Sequence, residues 1–328
     1  MKKKFSSFAL VIAIALIVLN VLAACGTNKP EIIVYTSSED FRIEHVEKRM
    51  KEQFPDYRVV IEYMSTSNIA AKIKTEGKAT ACDVIWSLEY GYLDLLNSEG
   101  LIAGIEGIDH SIFAEDTIRD KWTVDIRNGG AVIINPKVLE QRGLAEPESY
   151  ADLLKPEYKG LISMPSPKSS GTGYTFLKSL VNTMGEDEAF EYFDKLSENI
   201  LQYTSSGSGP VNALMQNEVA IGLGITAQAV TKINEGAELK VKFFDEGSPY
   251  ALYGNAVVSG KEARPEVVEV YKFLATTCVS EINELYFPEK ILKDKSPTVD
   301  NFPRDIKYSD MSGDTMEEKQ RLLDKWKY

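Results

Sequence analysis

The chain has 328 residues, 44% apolar and 26% charged, with 37 basic against 49 acidic side chains and a formal charge of −12. That balance argues against nucleic acid as a partner and against a basic membrane-binding face. Three cysteines without C-x-x-C spacing and only two histidines give no support to a metal centre.

Residues 1–25 are expected to lie outside the fold. Lys2, Lys3 and Lys4 precede an apolar run from Phe8 to Ala24, then Cys25-Gly26-Thr27. A basic start, an apolar centre and small residues before a cut mark an export signal. Losing those three lysines takes the charge from −12 to −15, so any anion site must be built from local dipoles against a repelling global field. About 300 residues remain, enough for two lobes with their own cores. Cys82 and Cys278 form either one disulfide or two buried free thiols.

The predicted elements alternate. A β-branched strand over 31–36 runs into Ser37-Ser38-Glu39-Asp40 and an amphipathic helix with Ile43, Val46, Met50 and Phe54 on one face. A strand over 57–63 leads to Ser65-Thr66-Ser67 and a helix from Asn68 that breaks at Gly77; a strand over 83–87 leads to a helix over 90–99. Strand, hydroxyl-rich loop and helix start thus recur three times. Such alternation implies a parallel sheet that presents those loops along one edge, where ligands bind.

A long β-rich run over 122–135 is read as the crossing into a second lobe, with Gly129-Gly130 letting the chain bend. Helical and loop material over 137–155 brings the chain to a strand over 160–164 and the loop Pro165 to Gly173. A helix follows with Phe176, Leu177, Leu180, Val181 and Met184 at helical spacing. Unpaired N–H groups at that helix start, with serine and threonine hydroxyls, form a pocket suited to an anion, although Ser and Gly also make ordinary capped loops. After a helix over 186–199, the hydroxyl-rich run 203–209 ends at Pro210, suited to a first helical turn. A buried strand over 218–225 leads through Thr226-Ala227-Gln228 to another helix. A strand over 240–244 and the turn 245–250 precede a return strand over 251–259. Helices near 266–277 and 316–326 are expected on the outside.

In order along the chain, Leu22-Ala23-Ala24-Cys25, Tyr35-Thr36-Ser37, Asp83-Val84-Ile85-Trp86, Ser170-Gly171-Thr172-Gly173, Ser206-Gly207-Ser208-Gly209-Pro210, the run 218–224 and Glu246-Gly247-Ser248-Pro249-Tyr250 resemble an ABC-transporter extracellular solute-binding lipoprotein. The group most similar holds ferric-ion, hexose-phosphate and aminoethylphosphonate binders. The resemblance implies an α/β, two-lobe type II periplasmic-binding fold, each lobe a mostly parallel sheet flanked by helices, with the ligand cleft between lobes. It further implies a signal peptide and lipidated Cys25 (1–25), a tether (26–30), a first lobe (31–125 plus 251–328) and a second (126–250). A monomer without cofactor or enzymatic activity would sit on the outer face of the cell membrane, held by lipid alone. It would capture a small solute for permease and ATPase subunits.

The phosphate-binding members of that group surround the anion with hydroxyls and N–H groups, which carries over to Ser37, Ser38, Ser170, Gly171 and Thr172, with Ser206 and Ser208 beside them. Ser67 and Thr226 stand at equivalent loop ends. Ferric members use two adjacent tyrosines where this chain has Ile225 and Thr226, and sugar-phosphate members use a His-Asp pair near the same place; both are missing. His45 and His110 read as surface residues. Glu246 matches an acid that contacts the organic part of the ligand, or is a solvated turn residue. Trp86, Tyr250 and Tyr253 either stack on the ligand or fill core and hinge, and Lys168 either touches the anion or is solvated. No arginine sits in these loops. The expected ligand is a small phosphate- or phosphonate-bearing organic solute. Ferric ion and a polyamine or thiamine-type cation are the alternatives within the fold. A phosphoester-processing enzyme and a sensing receptor are the alternatives in role.

Overall fold

The computed structural model describes residues 29–295 and 297–328; the expected export signal and Cys25 lie outside them. Ten strands form one continuous, curled sheet in the order β2-β1-β3-β10-β5-β8-β6-β7, with β4 on β10 and β9 on β5. The first lobe is built on β1 (Glu31–Thr36), β2 (Arg58–Tyr63) and β3 (Val84–Glu89), paired in parallel. Every residue of β3 is buried, as a strand covered by helices on both faces requires. Helices α1 (Asp40–Gln53), α2 (Thr66–Glu76) and α3 (Tyr90–Ser98) follow these strands. α2 starts two residues before the expected Asn68 and ends where Gly77 takes φ +57°.

Two long strands carry the chain between lobes. β5 (Thr123–Ile134) pairs with β10 (Tyr250–Val258) up to Gly129, and from Gly130 onward with β8 (Ile221–Ile225). The glycines at this switch are required by packing rather than by bending. A Cβ on Gly130 would stand 2.9 Å from the Phe176 ring, and one on Gly129 3.0 Å from Glu289 Oε1, while neither has positive φ. Beyond the switch, β6 (Ile162–Pro165) pairs in parallel with both β7 (Ile200–Thr204) and β8. The short β4 (Ile102–Ala103) and β9 (Lys240–Lys242) are antiparallel additions.

The second lobe's helices are α4 (Pro136–Arg142), α5 (Gly171–Met184), α6 (Glu186–Leu196), α7 (Gly209–Met215) and α8 (Thr226–Asn234). Ser170 caps α5 by accepting from the Gly173 amide at 3.4 Å. Then α9 (Pro265–Phe273) and α10 (Val279–Leu285) pack on the first lobe, joined by one π-helical turn. The last helix, α11 (Met316–Lys325), keeps Glu317, Gln320, Arg321, Asp324 and Lys325 exposed and turns one face inward. Leu322, Leu323 and Trp326 belong to the apolar cluster that holds Phe176, Tyr192 and Phe193. Cys82 and Cys278 are both free and fully buried, so the sequence's two alternatives resolve to two thiols. No helix among the described residues is long and apolar enough to cross a membrane.

Candidate functional site

Where the C-terminal ends of the parallel strands meet the helix starts, the two lobes enclose a cavity of about 20 Å³, measured at the centre of a water-sized sphere. That is room for about one water molecule, so the lobes are drawn together. Its lining is Ser37, Glu39, Arg42, Thr66 and Ser87 from the first three strands and the helices that follow them, Ile126 and Asn128 from β5, Tyr253 from β10, and Ser170, Thr172, Ser206, Gly207, Ser208 and Ile225 from the far side of the cleft. The starts of α1, α2 and α5 thus share one space with the turn before α7.

Hydroxyls are arranged by their neighbours. Ser37 Oγ donates to the Ser87 carbonyl at 3.0 Å and Thr66 Oγ1 donates to Ser37 Oγ at 3.3 Å. Ser206 and Ser208 share a hydroxyl hydrogen bond of 3.0 Å. Gly207 lies close enough to Thr172 that a Cβ there would come within 2.5 Å of its Oγ1. Ser87 has φ +59°, a left-handed conformation inside a strand, and strain of this kind collects at functional sites. It is held by its amide donating to Asn255 Oδ1 at 3.0 Å. Asn128 is 7% exposed and its Oδ1 has no partner, a buried acceptor on a residue that lines the enclosed space.

Beneath these hydroxyls lies a buried charge system. Arg42, 1% exposed, donates through Nη2 to Asp125 Oδ2, and through Nη1 to Ser87 Oγ at 3.2 Å and Glu39 Oε2 at 3.4 Å. Burial opposes the guanidinium's charge, but Asp125 and then Glu39 outweigh it and hold its pKa above the ordinary value. Glu39 precedes the first turn of α1 without capping it. Burial pushes its carboxyl up, and Arg42 only partly offsets that. The arrangement can accept from a ligand (Asn128, ionised Glu39) and donate to one (hydroxyls, helix N–H groups, protonated Glu39).

Residues 46–287 match the family described as bacterial extracellular solute-binding protein, which is more than half of the chain. The chain belongs to that family. An uncharacterised protein of Haemophilus influenzae is 26% identical over 268 residues, covering 78% of this chain and 76% of that protein. The spermidine/putrescine-binding periplasmic protein of Escherichia coli is 25% identical over 227 residues, 65% of this chain and 63% of that one. Among solved structures, the periplasmic binding protein AfuA from Actinobacillus pleuropneumoniae, with fructose-6-phosphate bound, superposes with a TM-score of 0.80. It is 22% identical and covers 91% of this chain and 98% of its own. This solute-binding protein therefore has the expected two-lobe type II fold and acts as the extracellular or periplasmic capture component of an ABC importer, with permease and ATPase subunits, rather than as an enzyme.

Of the residues the sequence singles out, the solute-binding protein brings Ser37, Ser170, Thr172, Ser206 and Ser208 to the cavity. Ser38 points inward, where its Oγ accepts from Thr36 Oγ1 at 2.9 Å. Gly171 is buried at the lobe contact. Ser67 Oγ donates across the cleft to the Ser169 carbonyl at 3.4 Å and, with Lys168, lines a separate groove. Trp86 is core: it is fully buried, donates to Asp125 Oδ1 at 3.3 Å and lies 5.3 Å beneath the Arg42 guanidinium. Thr226 is buried with its hydroxyl unpartnered and does not line the cavity. Glu246 lies in a turn whose carbonyl accepts from Ser309 Oγ at 3.0 Å, away from the lining. Tyr250 packs at the crossing against Tyr308, with ring centroids 5.0 Å apart, whereas Tyr253 does line the cavity. His45 bonds Glu281 at 2.9 Å on the outer face of α1. Sequence reasoning missed Glu39, Arg42, Ser87 and Asn128.

Proposed function

We propose that this solute-binding protein captures a small organic solute bearing a phosphate or phosphonate group. The observation that carries the reading is the convergence of three helix starts, seven serines and threonines (Ser37, Thr66, Ser87, Ser170, Thr172, Ser206 and Ser208) and Arg42 on one enclosed space. Hydrogen bonds to an anion are worth about 1.5–3 kcal/mol each and each helix terminus adds about 0.3–1 kcal/mol. Several together outweigh repulsion from acidic side chains lying beyond a Debye length of about 8–10 Å. Glu39 stands where the sequence expects Glu246 to act, against the organic part of the solute. Protonated, it donates to a phosphate oxygen; ionised, it accepts from a hydroxyl or an amine.

A second reading, a cationic amine, is favoured by that same buried carboxylate and by the named ligand of the Escherichia coli relative. The cleft lies between a first lobe of residues 31–125 plus 251–328 and a second of 126–250, with the last helix bridging them. Cys25 carries the lipid that tethers a monomer to the membrane, so Cys25→Ser releases the protein into the medium on fractionation. A thermal-shift screen of the purified protein against sugar phosphates, phosphonates, thiamine, polyamines and ferric salts separates the ligand readings. A raised melting temperature with phosphate or phosphonate compounds is expected; a response to polyamines alone selects the second reading.

A further inference from the structure

Among the described residues, the most deeply buried ion pair outside the cavity lining lies where the C-terminal helix meets the cleft. One face of α11 is anchored in the second lobe, with Trp326 against Phe193 at a ring separation of 5.1 Å. Its other face meets the first lobe. Met316 Sδ stands 3.1 Å from where a Cβ on Gly91 of α3 would be. Lys319, 1% exposed, donates to both oxygens of Glu89 at the end of β3, 2.6 Å to Oε1. Its ammonium also lies 4.4 Å from the ring of Tyr92 in α3 and 4.3 Å from that of Tyr174 in α5. The Tyr174 hydroxyl is in turn oriented by donating to Asp314 Oδ1 at 2.7 Å. One cation is therefore gripped by groups from both lobes.

The same carboxylate borders the cavity wall. The two atoms nearest to a Cβ placed on Gly171 are Tyr253 Oη, at 2.4 Å, and Glu89 Oε2, at 2.8 Å, so Glu89 stands beside a residue that lines the cavity. We propose that Glu89 and Lys319 are a positioning pair for solute capture, a strap whose ion pair forms as the lobes close and keeps Tyr253 in register with the start of α5. Apart, both groups return to water and cost nothing. Together they lose hydration, and the pair's attraction and the two aromatic faces offset that loss. Such a pair fixes a geometry more than it adds stability. Removing one partner leaves a buried charge in the closed form alone. The strap depends on the two-lobe cleft and not on the charge of the solute.

Small-angle scattering of the purified protein without added solute tests this, with Lys319→Met as the variant and thermal unfolding as the control. The expected result is a larger radius of gyration, an open population raised about tenfold or more, and a cooperative unfolding transition retained. An unchanged radius with only a lower melting temperature would mean a structural pair and overturn the proposal. Should Lys319→Met fail to fold, Glu89→Gln carries the same readout, with the same two outcomes.

Discussion

Gly171→Ala perturbs lobe closure at a single methyl group. Gly171 begins α5 in the second lobe, and a Cβ there would come within 2.4 Å of Tyr253 Oη and 2.8 Å of Glu89 Oε2, both on first-lobe strands. Neither neighbour is a free end. Tyr253 is 5% exposed and Glu89 is held by Lys319. Overpacking of this kind costs about 1–3 kcal/mol, and here it falls on the closed form only, because the clashing atoms sit on opposite lobes. Gly171 has no positive φ, so alanine is compatible with its backbone and costs nothing in the open form. At about 1.4 kcal/mol per decade, affinity for the solute identified by screening falls roughly 5- to 150-fold while unfolding remains cooperative. Isothermal titration of variant and parent checks this. Affinities within twofold of each other would refute a closure that brings these three residues together.

Glu289, 6% exposed, is buried against Gly129 and Tyr308, with Arg127 as the nearby cation. Burial pushes its carboxyl up to about 8 from an ordinary 4.5, and Arg127 only partly offsets that. Its contribution to stability is therefore full below about 4.5 and is lost as pH rises through about 8. Glu289→Gln accordingly raises the melting temperature at pH 8 and leaves it near the parent's at pH 4. Asp125→Asn removes the main counter-charge of the buried Arg42 and is expected to cost about 3–5 kcal/mol in urea unfolding; a loss under about 1 kcal/mol would mean Arg42 is adequately held by Glu39 and Ser87. Cys82 and Cys278 are buried, and desolvation raises both thiols. In the folded chain neither reacts with a disulfide reagent, and both titrate in guanidinium; rapid reaction when folded would contradict their burial.

The alternation of β-branched strands, hydroxyl loops and amphipathic helices made the sheet and its ligand edge legible, because hydrophobic period and turn chemistry are local signals. The charges around the cavity were less visible, although one pattern marks them. Arg42 lies four residues before Val46 and eight before Met50, on the buried stripe of α1, and Lys319 lies on the stripe of Leu322 and Leu323 in α11. A lone charge on an apolar helical stripe is a buried charge, and buried charges need partners. Those partners, Asp125 and Glu89, come from distant strands and could not be read locally. Ser37 and Ser38 show the opposite limit. Successive residues point to opposite sides, and only the fold decides that Ser38 turns inward to Thr36 while Ser37 faces the cavity. The two readings of Glu246 could not be separated locally for a related reason, since its turn is held by Ser309 of the C-terminal segment.

In the proposed function, hydroxyls and helix starts from both lobes grip one anionic group. Isothermal titration of a phosphate-bearing solute into the Ser37→Ala, Thr172→Val double variant tests it most directly, since one hydroxyl is removed from each lobe. Affinity weaker by about tenfold or more is expected, at about 1.4 kcal/mol per decade. Unchanged binding of that solute would contradict it.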